Sequence, residues 1–308
     1  MPGQASFVDP WRFELNPEAY LLVATLSVAY LYIVAVLGPR VVPAATRPVD
    51  GRQKLAFIAA MAALLASSTW PLQQLGEDYL LAARAVQTLL LTLVVAPLMW
   101  LATPQWMMRV VATSGRLWPL LRIVAKPAVA GVVFTFTMVL VHVPAVMEAA
   151  AQNGPLRVAL HVLVLAAAMV WWLPVVGPLP ALRMGYGARM LYLFVTGLTS
   201  SAPTLWWTFT GHAVYQHYAT QPVRVWGLSA LHDQQIAGII AKAGSGLFLW
   251  VTVVVMFARW FNRDANRSYA RGARIPTAEV VGTDDYSLTF ADVERVFAQS
   301  EPPREATR

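Results

Sequence analysis

Seven apolar stretches follow one another along the chain, and each is long enough to cross a lipid bilayer. Of the 308 residues, 57% are hydrophobic and 13% are charged, whereas a soluble domain carries about 25% charged residues. A span needs about 20 mostly apolar residues, and in lipid its backbone amides must bond within the segment, which selects helices. We therefore predict an all-α, polytopic integral membrane protein with a seven-helix transmembrane bundle. The predicted spans are 19–38, 53–71, 79–101, 128–148, 156–178, 189–211 and 234–260.

The basic residues behind the net charge of +7 are concentrated in alternate connections. Clusters follow the first, third, fifth and seventh spans, whereas the connections on the opposite side hold only Arg12, Arg157 and Arg224. Because a Lys/Arg excess in short loops marks the cytoplasmic side, we predict an amino terminus outside and a carboxyl terminus in the cytoplasm. Basic residues that flank spans also contact anionic lipid, so we expect no nucleic-acid partner.

Three regions follow from this pattern. We predict an extracytoplasmic segment over 1–18, a seven-span membrane domain over 19–261 and a cytoplasmic tail over 262–308. Within the tail, Thr289 to Asp292 is typical of a capping box, and Phe290, Val293 and Phe297 share a helical face. This short amphipathic helix could dock on the membrane, the bundle or a partner. The chain shows no hydrolase, kinase, Rossmann or P-loop motif, so we predict that it is not an enzyme.

Polar residues within the spans are the candidate functional residues, because such residues are costly in lipid. They lie near the predicted outer ends of the spans, which predicts one shallow cavity that opens outward. Arg84 and Lys242 could instead extend to the outer headgroups. The predicted cavity residues are Arg84, Thr88, Asp233, Gln234, Gln235 and Lys242.

Two histidines and a methionine are tentative metal ligands. Met138 lies one helical turn from His142, and thioether plus imidazole suits Cu(I); His161 begins the fifth span. The chain has no cysteine, so no thiolate can take part. Alternatively, His142 could bond a carbonyl freed by Pro144.

The two buried cations need partners in either case. We expect Arg84 and Lys242 to approach each other or an outer carboxylate, namely Asp233, Glu77 or Glu148. Asp233 could instead stabilise the amino end of the last span through the helix dipole.

Several motifs together resemble the CtaG family of cytochrome c oxidase assembly factors, over roughly residues 18–262. The most specific motif is Trp226-Gly-Leu-Ser-Ala-Leu-His-Asp-Gln-Gln-Ile-Ala-Gly238, with a glycine expected to pack closely. The others are Pro71-Leu-Gln-Gln-Leu-Gly-Glu-Asp-Tyr-Leu80, Val95-Ala-Pro-Leu98, His142-Val-Pro144 with His161, Trp171-Trp172-Leu-Pro174 and Tyr186-Gly-Ala-Arg189.

The resemblance implies a multi-pass protein of the bacterial inner membrane that serves the respiratory chain. It implies cytochrome c oxidase subunits or assembly intermediates as partners, with membrane lipid around them, and a link to copper delivery at the outer face.

The chain departs from the family pattern at the residues that would carry copper. Arg84 and Thr88 occupy the positions at which family members look to carry a His-x-x-x-His pair in the third span. Lys242 likewise occupies the position of an apolar residue. A guanidinium cannot coordinate a cation. Three interpretations stay open: a copper-insertion factor, a metal-free scaffold for oxidase assembly, and a membrane protein that binds a lipid or small anion in a cationic cavity.

Overall fold

The computed structural model describes residues 9–43, 46–113, 115, 117–272, 294 and 298. Within these ranges the regular elements are helices, with no strand, in agreement with the all-α prediction. The helices are α1 Pro17–Val41, α2 Gly51–Ser68, α3 Leu72–Tyr79, α4 Leu81–Ala102, α5 Gln105–Thr113, α6 Leu117–Val124, α7 Pro127–Val141, α8 Pro144–Gln152, α9 Gly154–Val176, α10 Tyr186–Ser200, α11 Ala202–Phe209, α12 Gln216–Ala219 and α13 Ala230–Gly272.

The chain divides into two compact units, Met1–Arg259 and Trp260–Arg308. The helix predicted around Phe290, Val293 and Phe297 lies outside the described residues, and the predicted regions 1–18, 19–261 and 262–308 stay predictions.

Four helices are long and apolar enough to cross a membrane: α1, α4, α9 and the Ala230–Asn262 part of α13. They coincide with the first, third, fifth and seventh predicted spans. Two bent pairs raise the number to six if each pair is one span: α2 with α3, bent by 49°, and α6 with α7, bent by 76°. The second predicted span, 53–71, falls within the first pair. The fourth, 128–148, covers most of α7 but continues past its end at Val141 into α8.

The sixth predicted span, 189–211, is not one continuous helix. Helix α10 ends at Ser200 and α11 begins at Ala202, with Pro203 in its first turn. Proline lacks the amide hydrogen that an uninterrupted helix needs and disfavours the α conformation of the residue before it. The chain therefore breaks at Ser201, and the break leaves two helices of 15 and 8 residues.

Tryptophans of α9 hold the centre of the bundle. Trp172 donates a 2.8 Å hydrogen bond to the carbonyl of Thr92 on α4, and Trp171 donates one of 2.8 Å to the hydroxyl of Thr196 on α10. The Trp171 ring also stacks on Phe134 of α7 at 4.3 Å. Because each indole N–H is satisfied within the core, α9 fixes the positions of α4, α7 and α10 around it.

A glycine lets α13 approach α11 closely. A Cβ added at Gly238 would lie 2.2 Å from the Thr208 hydroxyl and 2.8 Å from the Thr204 carbonyl oxygen. The close-packing glycine expected from the Asp-Gln-Gln motif is thus confirmed.

Candidate functional site

A buried carboxylate organises the connection between α3 and α4. The Glu77 side chain is 4% exposed, and its Oε2 lies 3.3 Å from Arg157 Nε and 3.7 Å from Arg84 Nη1. Its Oε1 lies 3.2 Å from His161 Nε2. We call these four residues, Glu77, Arg84, Arg157 and His161, the Glu77 cluster. Two guanidiniums compensate one carboxylate that would otherwise be costly to bury.

The sequence-based expectation for Arg84 is confirmed at this cluster. Its side chain is 13% exposed and approaches Glu77, one of the three carboxylates that were expected as partners. Arg84 therefore joins α4 to α3 and does not extend into lipid.

The connection between α11 and α13 closes over the cluster. The Tyr218 hydroxyl donates a 2.6 Å hydrogen bond to the Gly76 carbonyl, and His217 Nε2 lies 2.9 Å from the Glu77 carbonyl oxygen. The Tyr215 hydroxyl donates one of 2.8 Å to the His142 carbonyl. Burial raises the pKa of the Tyr218 hydroxyl above its ordinary value, which keeps it a neutral donor.

These contacts correct two sequence-based interpretations. The position of Tyr215 and Tyr218 in an outer loop predicts that they belong to the interfacial aromatic belt, but both are buried in the protein. The same loop position predicts a solvated His217, which instead contacts the backbone of Glu77. Their loop position suggested exposure. Tyr218 and His217 instead satisfy carbonyls where α3 ends, and Tyr215 satisfies the His142 carbonyl where α7 ends.

Two small cavities lie beside the cluster. The smaller, of about 20 Å³, has Arg84, Thr88, His142 and His161 in its lining, and it has room for about one water molecule. The larger, of about 70 Å³, has Thr88, Met138, His142 and Ser201 in its lining. Thr88 and His142 form part of the wall between them.

The three tentative metal ligands do not share one cavity. Met138 lines the larger cavity, His161 lines the smaller one, and His142 lines both. The His142 ring nitrogen Nδ1 also bonds the Met138 carbonyl. The carbonyl whose α-helical partner Pro144 removes is that of Leu140, so the bond is to a helical carbonyl but not to the one expected.

The donor set also fits a resident metal ion poorly. In the described parts of the chain, no three His, Cys, Asp or Glu side chains converge to hold one. The guanidinium of Arg84 lines the same small cavity as the two imidazoles, and its charge would repel a metal cation there.

Asp233 and Gln234 hold backbone segments together. Asp233 accepts hydrogen bonds of 2.7 and 3.2 Å from the amides of Leu81 and Ala82, and so caps α4 from a residue 152 positions away. Gln234 accepts a 2.7 Å bond from the Val214 amide and donates to the carbonyls of Trp207 and His212. Both side chains are buried. Asp233 thus pairs with a helix terminus, and not with Arg84 or Lys242 as was also considered.

Lys242 lies away from the Glu77 cluster. Its Nζ donates a 2.8 Å hydrogen bond to the Ser201 hydroxyl at the break between α10 and α11, and it lines a groove between α10 and α13. No Asp or Glu pairs with it among the residues that the structure describes. The expectation that Lys242 would reach Arg84 or an outer carboxylate is therefore wrong.

The residues predicted to line one outward cavity lie instead at three separate sites. Arg84 and Thr88 lie at the cluster and its cavities, Asp233 and Gln234 hold the backbone near the start of α13, and Lys242 lies in the α10–α13 groove. Gln235 is half-buried and joins none of these contacts. Helical position gave the depth of each residue but not the direction in which its side chain points.

Two residues of the cluster were underrated by sequence reasoning. Glu77 was only one of three carboxylates considered for Arg84. Arg157 was considered as a loop charge on the sparsely basic side and as one cation of the lipid- or anion-binding alternative, but not as a partner of Glu77. A usable signal existed, because an arginine on that side departs from the charge rule and therefore calls for a buried partner.

The long apolar helices are typical of an all-α membrane protein, and a polar cluster is buried among them. The chain belongs to the family described as cytochrome c oxidase caa3 assembly factor (Caa3_CtaG), whose model matches residues 28–263. This confirms the predicted family. No curated protein and no solved structure matches the chain.

Proposed function

We propose that this protein assists assembly of cytochrome c oxidase at the outer face of the bacterial inner membrane, in a non-catalytic role and without a resident metal ion. Membership of the assembly-factor family supports the oxidase as the object of this role. The observation that carries the metal-free part is the Glu77 cluster, in which Arg84 and Arg157 occupy the site with fixed charge.

The topology belongs to the same proposal. Seven crossings result if α10 and α11 form a sixth crossing that is broken at Ser201. The charge bias of the loops supports an outer amino terminus and a cytoplasmic carboxyl terminus. In this orientation the Glu77 cluster and the loop that closes over it face outward.

The cluster has the properties of a docking surface for an oxidase subunit or an assembly intermediate. Two guanidiniums face one carboxylate within it, and Asp78 beside it is close enough to interact with Arg157. The side chains of Arg157 and His161 are 26% and 29% exposed, so a partner can reach them. Accessible charged groups of this kind favour encounter with a partner of complementary charge.

Copper as transient cargo is the second candidate, because His142 and His161 line one small cavity. Cu(I) competition on purified protein tests it, with the His142→Ala/His161→Ala double variant as comparison. The metal-free proposal expects the same background copper content in both proteins. One copper per wild-type chain, lost in the variant, would establish the cargo function instead.

A deletion strain tests the assembly role itself. Loss of the gene should lower the amount of assembled oxidase in membranes, and the wild-type gene should restore it. Glu77→Gln should restore less than Glu148→Gln, a matched change at an exposed carboxylate whose acceptor oxygen toward the Gln216 amide is retained. Unchanged oxidase after deletion would contradict the proposal.

A further inference from the structure

The groove between α10 and α13 combines an apolar surface with one cation, Lys242, that has no anionic partner among the described residues. The α10–α13 groove has a volume of about 480 Å³. Its lining includes Phe194, Leu198, Lys242, Ser245, Gly246 and Trp250. The large apolar side chains among them are more than half exposed, as is usual on a lipid-facing surface.

The cation is held deep in the membrane-spanning part of the chain. Lys242 is twelve residues after the start of α13, which places it roughly 18 Å along that helix. Its partner Ser201 precedes α11, and Phe209 at the far end of α11 is roughly 12 Å away by the same helical rise. The hydrogen bond to Ser201 holds Nζ at this level and keeps it from extending toward the headgroups.

An ammonium at this depth requires an anion. Ionisable side chains within spans are costly and pair with one another or line a functional path. The described residues supply Lys242 with a hydroxyl but with no carboxylate. A hydrocarbon layer is about 30 Å thick, so lipid phosphates lie near its edges, and a carboxylate on a neighbouring helix is better placed to reach Nζ.

The groove also has the shape that helix docking needs. A Cβ added at Gly246 would meet no atom within 4 Å, so a second backbone can approach there, and the neighbouring Ser245 also has a small side chain. Small residues that permit close backbone approach, together with a polar contact, are the usual features of helix association in membranes.

We propose that the α10–α13 groove is the docking site for a transmembrane helix of a partner protein, and that an Asp or Glu in this helix pairs with Lys242. The inference rests on the proposed function for its expectation that the partner is an oxidase subunit or assembly intermediate. The cation then has a role in choosing the partner, because an uncharged span would leave it unpaired.

Photo-crosslinking in native membranes tests this proposal, with a photoreactive benzoyl-phenylalanine at Leu198. The matched control is the same probe at Phe136, in the groove between α7 and α10. That groove is also apolar, but no charged residue is in its lining. The Leu198 probe should capture a membrane protein with an acidic residue in a span, and the Phe136 probe should not.

Variants of Lys242 distinguish a groove that recognises an acidic helix through its charge from one that makes only non-specific apolar contacts. Lys242→Met should lower the Leu198 adduct by at least about tenfold, because it removes one partner of a desolvated charge pair, and Lys242→Arg should retain most of it. Lys242→Glu should recover the adduct when the acidic residue of the partner is changed to Lys. The unfolding temperature of each purified variant checks that loss of the adduct is not loss of the fold.

Three results would overturn the proposal: equal adducts from both probes, an adduct unaffected by Lys242→Met, or lipid as the captured species. The oxidase measurement is separate. If oxidase levels depend on the gene but the groove captures no helix, only the docking inference fails. If the groove captures an acidic helix while oxidase levels are unchanged by deletion, the docking site stands and the assembly role fails.

Discussion

At the scale of single residues, Glu77 links three chain segments that are distant in sequence. Its carboxylate meets Arg84, Arg157 and His161, and its own carbonyl meets His217. Removing one charge from such a buried set lowers the free energy of unfolding by more than the intact set contributes to it, because the remaining charges lose their compensation.

Glu77→Gln should therefore destabilise the protein by about 3 kcal/mol, less if water reaches Arg157. Urea unfolding in detergent would measure it. The Glu77→Gln/Arg84→Met double variant should recover part of the loss, because it removes a buried charge as well as its partner. Additive losses in the double variant would show that the two residues are not coupled.

A second residue-scale prediction concerns the cap of α4. Asp233→Ala removes both acceptors of the Leu81 and Ala82 amides and should cost about 1–3 kcal/mol. Hydrogen exchange should rise at the first turn of α4. His232→Ala, at the exposed neighbour, is the control and should leave the exchange rates there unchanged.

At the scale of helices, the contact between α11 and α13 depends on the absence of a side chain at one position. Gly238→Ala places a methyl group against the Thr204 carbonyl and the Thr208 hydroxyl and should cost about 1–3 kcal/mol. Gly246→Ala on the same helix meets open space and should stabilise by about 0.5–1 kcal/mol. Thermal unfolding of the two purified variants compares them, and equal shifts in the same direction would contradict the close approach at Gly238.

The sequence predicted those helices that are defined by the length of an apolar stretch alone. The continuous stretches became α1, α4, α9 and α13, which run without a break for a full crossing even though Pro39, Pro97 and Pro174 lie within the first three of them. The others contain Pro71, Pro127 or Pro203 at or near a bend. Apolar composition continues through such a proline while the helix does not, so the sequence predicted one continuous span in each place and missed the break.

The candidate site was predictable in its chemistry more than in its geometry. A buried arginine requires an anion, which correctly directed attention to Glu77. The hydrogen bonds of Asp233 to α4 and of Lys242 to Ser201 depend on which face of α13 meets which neighbour, and that is decided by packing at residues such as Gly238. Single-sequence periodicity does not specify those neighbours.

At the scale of the whole molecule, topology is open to a direct test because the chain contains no cysteine. Single cysteines at Ser229 and at Thr113 would lie on opposite sides in the proposed orientation. A membrane-impermeant maleimide should label Ser229→Cys in intact cells, and Thr113→Cys only after the membrane is opened. The reverse pattern would place the Glu77 cluster on the cytoplasmic side.

The central claim is that the site works through fixed charge and not through a metal ion. The most direct test measures the oxidase content of membranes from a deletion strain that is complemented with either Glu77→Gln or the His142→Gln/His161→Gln double variant. A site that works through fixed charge needs Glu77 and tolerates the loss of imidazole ligands, since glutamine retains a hydrogen-bonding amide. We predict reduced oxidase with Glu77→Gln and near wild-type oxidase with the double variant. Full oxidase with Glu77→Gln and none with the double variant would contradict the account.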